Sequence, residues 1–271
     1  MSSLTPEAFF DLSRFAHREV FSGISRVWEA LERIRSYLEE VLEGNPRQWP
    51  IAYKQPLPET VVIHGDRCLG EGLQIVGGNV KKGQHRVLFR GEELPDAVVL
   101  HAGCVLWGPD ISFGPGTVVE PGALVKGPTL VGACTEIRQG AYLRGGCIVG
   151  DRCVVGHATE MKNSILLDGA QAGHFAYIGD SILGNDVNLG AGTKLANLKM
   201  KRASVRLRIE GEPVDTGMRK LGAILGDGTE TGCNSVTNPG ALLGKGCLVF
   251  PNTAVAPGCY EPRTVIGSLA R

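Results

Sequence analysis

The chain has 271 residues, 28 basic and 28 acidic side chains, and 43% hydrophobic residues. That is enough for one large domain or two small ones, and the zero net charge argues against a general nucleic-acid binder or a membrane-surface protein. No apolar run reaches the roughly 18 residues needed to cross a bilayer. The opening "MSSLTPEAFF" lacks the basic-then-apolar pattern of a secretory signal, so the cytoplasm is the expected compartment.

Residues 1–46 read as an N-terminal helical segment. Thr5 is a candidate N-cap with Pro6 at the first helical position. A second helix follows, with Ile24, Val27, Trp28, Leu31, Ile34, Leu38 and Val41 at helical spacing, ended by Gly44 and Pro46. That apolar stripe either covers an exposed end of the body that follows or meets another subunit. Residues 47–100 are a mixed connecting region with strand-like stretches and the loop "NVKKGQHR".

From residue 101 to 271 an internal repeat sets the architecture. Stepping by six from Trp107 lands on Phe113, Val119, Val125, Val131, Ile137, Leu143, Val149, Val155 and Met161, all apolar. At this composition a run of ten has a chance probability on the order of 10⁻⁴ in one register. Four places after each of these positions stands a small or branched residue, among them Thr117, Ala123, Thr135, Cys147 and Cys153. The cysteines therefore read as small core-facing residues. The pattern continues with one-residue slips through Leu167, Ala172, Ile178, Leu183, Leu189 and Leu195, and returns from Leu225 to Val255. A weaker start shows at Ile63, Leu69 and Ile75. The 38 glycines, about twice the ordinary share, fit a chain with many tight corners. Between Leu195 and Leu225 the repeat is interrupted. Over 198–222, "SVRLRIEGEPV" alternates around Gly211 and predicts a protruding β-hairpin. Its run of Lys199, Lys201, Arg202, Arg206, Arg208, Arg219 and Lys220 is either a solvated face or a phosphate-binding lid.

The motif [LIV]-G-x-x-[small]-x resembles the hexapeptide repeat of left-handed parallel β-helices, in which three hexapeptides make one triangular coil. The predicted fold is accordingly all-β: a left-handed parallel β-helix with an N-terminal helical segment and an inserted hairpin. The stretches "YLRGG", "VGHATEMKNS", "AGHFAYIGD", "DVNLGAGT" and "LAN" resemble the acetyltransferase half of the bifunctional enzymes that acetylate glucosamine-1-phosphate and then uridylylate it. "VDTGMRKLGAILGD" resembles related sugar-1-phosphate nucleotidyltransferases. The similarity covers roughly residues 100–260. It implies an acyltransferase moving acetyl from acetyl-CoA to the amine of an amino-sugar phosphate. His174 would be the general base. Arg144, Lys162, Tyr177 and Asn188 would hold the sugar phosphate. Asn197 would contact acetyl-CoA, with Ala191 and the backbone near Cys233 and Pro251 along its pantetheine arm. It also implies a homotrimer with the site between neighbouring subunits, and no metal. The chemistry suits these residue types: a neutral imidazole takes the proton as the amine attacks the thioester, and Arg and Lys suit a sugar phosphate.

The resemblance has limits. Residues 1–100 contain no Gly-rich "GxGTR" loop, so uridylyl transfer is not expected from them. His157 stands where the family commonly carries another polar residue. Two other readings remain open. One is a non-catalytic trimeric scaffold or regulatory protein that binds a sugar nucleotide without turnover. The other is a zinc site of the γ-carbonic anhydrase kind built on His157 and His174, which are 17 residues apart and would need a third histidine.

Overall fold

The computed structural model describes residues 4–43, 49–201, 203–209 and 211–267. Gly44, Pro46 and Arg202 therefore lie outside the described residues. The repeat folds into three long sheets wound as one triangular, left-handed parallel β-helix. Side A holds eight parallel strands from Val105–Trp107 to Ala254–Val255, and side C eight from Ile111–Phe113 to Gly258–Tyr260. Side B runs in parallel from Val98–Leu100 to Val265–Ile266, and is extended at its start by the antiparallel strands Val61–His64 and Arg67–Leu69. Each coil passes B, A, C and returns to B. A coil is 18 residues from Val131 to Val149 and 17 from Val149 to Leu166, which is the physical origin of the slips.

The interior is a single stack of apolar side chains at the six-residue positions, from Leu106 to Val255. The small residues four places on are fully buried: Thr117, Thr129, Thr135, Cys147, Cys153 and Thr159 are each 0% exposed. Burial pushes the thiols of Cys104, Cys147 and Cys153 up to about 12. All eight cysteines are free.

Three expectations shift. Trp107 points outward and is 45% exposed, while Leu106 takes the inner place opposite Val125. Leu166, opposite Val149, lies inside, and Leu167 faces out. Leu69 lies on the antiparallel strand that extends side B and Ile75 on a separate antiparallel sheet beside it, and both pack against a second cluster with Val80, Val87 and Leu94 at the start of side B.

The N-terminal segment does not cap an end of the solenoid. It lies along side C. Six of the eight strands of side C place an aliphatic residue outward: Leu130, Ile148, Ile165, Ile182, Ile224 and Leu242 stand in register and are buried, with Ser112 and Cys259 at the same place on the two end strands. Phe9, Phe10, Trp28, Leu31, Ile34 and Leu38 cover them, the last three from the helix Ala30–Glu43. A strand apolar on both faces needs such a cover. The hairpin Arg206–Ile209/Glu212–Asp215 joins this layer through Val205, Leu207 and Leu221, so it lies down rather than protrudes. Asp227 fastens the segment: its N–H donates to the Phe9 carbonyl at 3.0 Å, and its carboxylate accepts from the Asp11 N–H at 2.6 Å. No helix among the described residues is long and apolar enough to cross a membrane. Among the described residues, sides B and C are thus covered wholly or in part, and side A is left open.

Candidate active site

Strand alternation gives side A two outward rows. One reads Val105, Leu124, Tyr142, Glu160, Tyr177, Lys194. The other, at the edge toward side C, reads Trp107, Lys126, Arg144, Lys162, Gly179. Strand spacing puts successive members about 4.8 Å apart.

At Gly179 the second row has a notch. A β-carbon there would lie 2.7 Å from both the Tyr177 hydroxyl and the Asn197 amide nitrogen. The missing side chain lets the Tyr177 ring run along the face until its hydroxyl donates to Asn197 Oδ1 at 3.4 Å. Beside the notch Asp180 collects three donors. Lys162 Nζ donates at 2.8 Å, Asn163 Nδ2 at 3.0 Å, and Asn197 Nδ2 completes the set. The Lys162 and Asp180 side chains are 17% and 7% exposed, so this is a largely buried ion pair. Arg144 meets Glu160 at 2.7 Å in a more exposed pair, and that carboxylate raises the Arg144 pKa further.

The opposite edge of side A, its corner with side B, carries the histidines. His174 ends the strand Gln171–His174 and is exposed. His157 occupies the same place one coil earlier, and the two rings stack at 5.4 Å with 24° between planes. Glycine permits this approach: a β-carbon on Gly156 would fall 1.8 Å from the Gly173 carbonyl oxygen. Phe175, 62% exposed, flanks His174. Among the described residues no group of three or more His, Cys, Asp or Glu side chains forms a metal-binding cluster.

The candidate residues of side A therefore fall into two groups, with Tyr177 tied to the second through its hydroxyl bond to Asn197. His174 lies at one edge of side A, and Arg144, Lys162 and Asn197 at the other. About five residues of extended chain, roughly 16 Å, separate the edges. Ala191 and Cys233 continue the His174 corner over the next coils: the Gly192 N–H donates to the His174 carbonyl, Asn234 to Ala191, and Asn252 to Cys233. Pro251 lines a shallow cavity of about 240 Å³ with Gly232 and Phe250 at the far end. Asn188 faces out from side B, between Gln171 and Glu230, away from the Lys162 edge. Sequence reasoning passed over Glu160 and Asp180, although both stand inside the quoted "TEMK" and "YIGD"; a carboxylate one coil from a candidate phosphate-binding cation was the available signal.

Residues 125–233 match the family model described as the GMPPB C-terminal domain. Over 98 residues the chain is 37% identical to a bifunctional sugar-1-phosphate nucleotidylyltransferase/acetyltransferase of Sulfurisphaera tokodaii, a match covering 36% of this chain and 24% of that protein. Over 99 residues it is 38% identical to the bifunctional protein GlmU of Methanococcus maripaludis, with the same coverage of each. The matches thus span about a quarter of the length of these relatives. Among solved structures, a UDP-N-acetylglucosamine acyltransferase from Campylobacter jejuni aligns with 18% identity over 61% of this chain and 70% of its own, at a TM-score of 0.36.

Proposed function

We propose that the protein is a cytoplasmic N-acetyltransferase that moves an acetyl group from acetyl-CoA to the amine of an amino-sugar phosphate. The observation that carries this reading is the occupancy of one open face. A histidine stands at one edge of side A and a cation-and-amide cluster at the other, and a tyrosine between them sets its hydroxyl on the cluster. His174 is the base. The amine nitrogen forms a bond to the thioester carbonyl carbon, its proton passes to the imidazole, and the C–S bond breaks to release CoA, which takes up the proton. Proton transfer by a positioned base contributes roughly 10²–10⁴ in rate. Lys162 and Arg144 bind the phosphate and Tyr177 the sugar, while Asn188, which faces out from side B, joins them only from a neighbouring subunit. Asn197, Ala191, Cys233 and Pro251 line the acetyl-CoA path.

The roughly 16 Å between the edges supports a site completed by a neighbouring subunit, in which the Lys162 edge of one chain faces the His174 corner of the next. Such a heterologous contact closes into a ring, and the homotrimer is the ring proposed here. The test is incubation with acetyl-CoA and a panel of amino-sugar phosphates, with mass spectrometry of the products and light scattering of the protein. Acetylated product from a trimer is expected. A monomer at micromolar concentration, or binding of acceptors with no product, defeats the enzyme reading; the latter leaves a sugar-nucleotide-binding scaffold.

A further inference from the structure

The second outward row of side A continues well past the residues that one phosphate can use. Lys126, Arg144 and Lys162 stand on three consecutive coils at the same place in the strand. The ends of this ladder are two coil rises apart, roughly 10 Å. Its members are not equivalent. Lys162 is held by Asp180 and Arg144 by Glu160. Lys126 has no carboxylate partner among the described residues. Its ammonium lies 5.1 Å from the Trp107 ring centre and 5.3 Å from that of Tyr142. Trp107 heads the row, and with the lysine against it keeps 45% of its surface exposed. An indole left open at the end of a cation ladder, on a face that no segment among the described residues covers, offers a stacking surface for a flat ring joined to phosphates. Aromatic stacking beside a cationic track is how proteins hold nucleotide bases without reading their edges.

We infer that the acceptor amino sugar is carried on a nucleoside diphosphate, whose phosphates lie along Lys162, Arg144 and Lys126 and whose base stacks on Trp107. This rests on the acyltransferase reading for the sugar end alone. The nucleoside end stands on Trp107, Lys126 and the ladder. A sugar 1-phosphate leaves Lys126 and Trp107 without a ligand, so the two acceptor classes differ in which residues they need.

The experiment is calorimetric titration of the full chain, without acetyl-CoA, using UDP, GDP, CDP and inorganic pyrophosphate. At least one nucleoside diphosphate binds more tightly than pyrophosphate by tenfold or more. Trp107→Ala weakens that nucleotide by roughly 5- to 150-fold, the range lost when a stacking aromatic is removed, and leaves pyrophosphate unchanged. Trp107→Phe keeps most of the affinity. Lys126→Gln weakens both ligands. Equal binding of pyrophosphate and every nucleotide overturns the inference. So does a Trp107→Ala protein that binds as well as the parent. A change of oligomeric state on Trp107→Ala, read by light scattering, overturns it in favour of a subunit contact on this face. The kinetic arm compares one amino sugar as its 1-phosphate and as its nucleoside-diphosphate form, with acetyl-CoA present. Failure to acetylate either form, with Trp107-dependent nucleotide binding intact, defeats the acyltransferase reading and leaves the nucleotide site standing.

Discussion

Asp180 is the most informative residue to remove. Its buried carboxylate accepts from Lys162, Asn163 and Asn197, so Asp180→Ala leaves three donors unsatisfied at one corner. Hydrogen bonds to a charged group are worth about 1.5–3 kcal/mol each, and breaking a buried ion pair by deleting one partner costs about 3–5 kcal/mol. The Lys162 side chain retains 17% exposure, so water relieves part of that loss, and a cost of about 3 kcal/mol is expected. Each coil touches only its neighbours, so the damage stays local. Hydrogen exchange should accelerate over residues 160–181 before it does at the far coils, and the urea midpoint should fall. The double variant Lys162→Met with Asp180→Ala carries no unpaired ammonium and should recover at least 1 kcal/mol relative to Asp180→Ala alone, a coupling of the size seen between direct partners. If Asp180→Ala lies within about 0.5 kcal/mol of the parent, the size of an ordinary surface change, or the double variant is the less stable of the two, the ion pair does not organise this corner.

His174→Ala should lower kcat by roughly 10²–10⁴ while acetyl-CoA binding, followed by calorimetry, stays intact; an equal loss in His157→Ala would show that the stacked rings act as a unit. His17 is half-buried, and its Nδ1 lies 3.0 Å from the Tyr37 hydroxyl. Burial lowers its pKa below the ordinary value of 6.5. Above pH 6.5 the ring is neutral folded or unfolded and contributes no pH dependence. As pH falls through 6.5 the unfolded chain binds a proton that the folded one resists, so stability declines from there downward. Urea midpoints at pH 7.5 and 5.5 should show this loss, and His17→Gln should reduce it, the remainder coming from His85 and His101, which burial also lowers. Thiol reagents should label the exposed Cys233 in the native protein and spare Cys104, Cys147 and Cys153, whose thiols burial holds at about 12; prompt labelling of any of those three, counted by mass, would contradict the packing of the interior.

The coil was legible because its interior has a single requirement repeated every six residues, and sequence period reports it directly. Errors arose where the requirement is local. Trp107 fits the period by type, but a 19-residue step from Leu106 to Val125 moves it to the outer face. The place of the N-terminal segment was also written in the sequence, at a period of one coil rather than one hexapeptide. Leu130, Ile148, Ile165, Ile182, Ile224 and Leu242 each precede an inner residue by one and so mark a side that is apolar outward. A six-residue search discards that signal by averaging the three sides. In the candidate site, His174, Tyr177, Lys162 and Asn197 were marked by the resemblance of the motifs that contain them. Their grouping was not, because it depends on which corner each turn reaches. The carboxylate partners Glu160 and Asp180 become visible only once coils are stacked in register.

The allocation of the three sides follows from those outward rows. On side C the outward aliphatics could remain bare only at a large hydrophobic cost, and the chain's own helix and hairpin bury them. The start of side B is covered for the same reason through Val62, Val99 and Val118. Side A sets lysines, an arginine and a glutamate outward among its aromatics. An apolar segment laid over it would strand those charges, so it stays open within one chain. What can cover it without that penalty is a ligand or a second subunit with charges of its own. The same row that excludes an apolar intramolecular cover is the one the proposed function assigns to phosphate, and the absence of a side chain at Gly179 leaves the room that the Tyr177 hydroxyl and the Asn197 amide fill. The interruption at 198–222 leaves the helix from this same edge, just after Asn197, yet the hairpin turns toward side C, where Val205 and Leu207 bury against Gly240. An insertion that leaves beside the candidate site and packs away from it keeps side A accessible while tying Asn197 to Leu221, whose N–H donates to the Asn197 carbonyl at 3.0 Å.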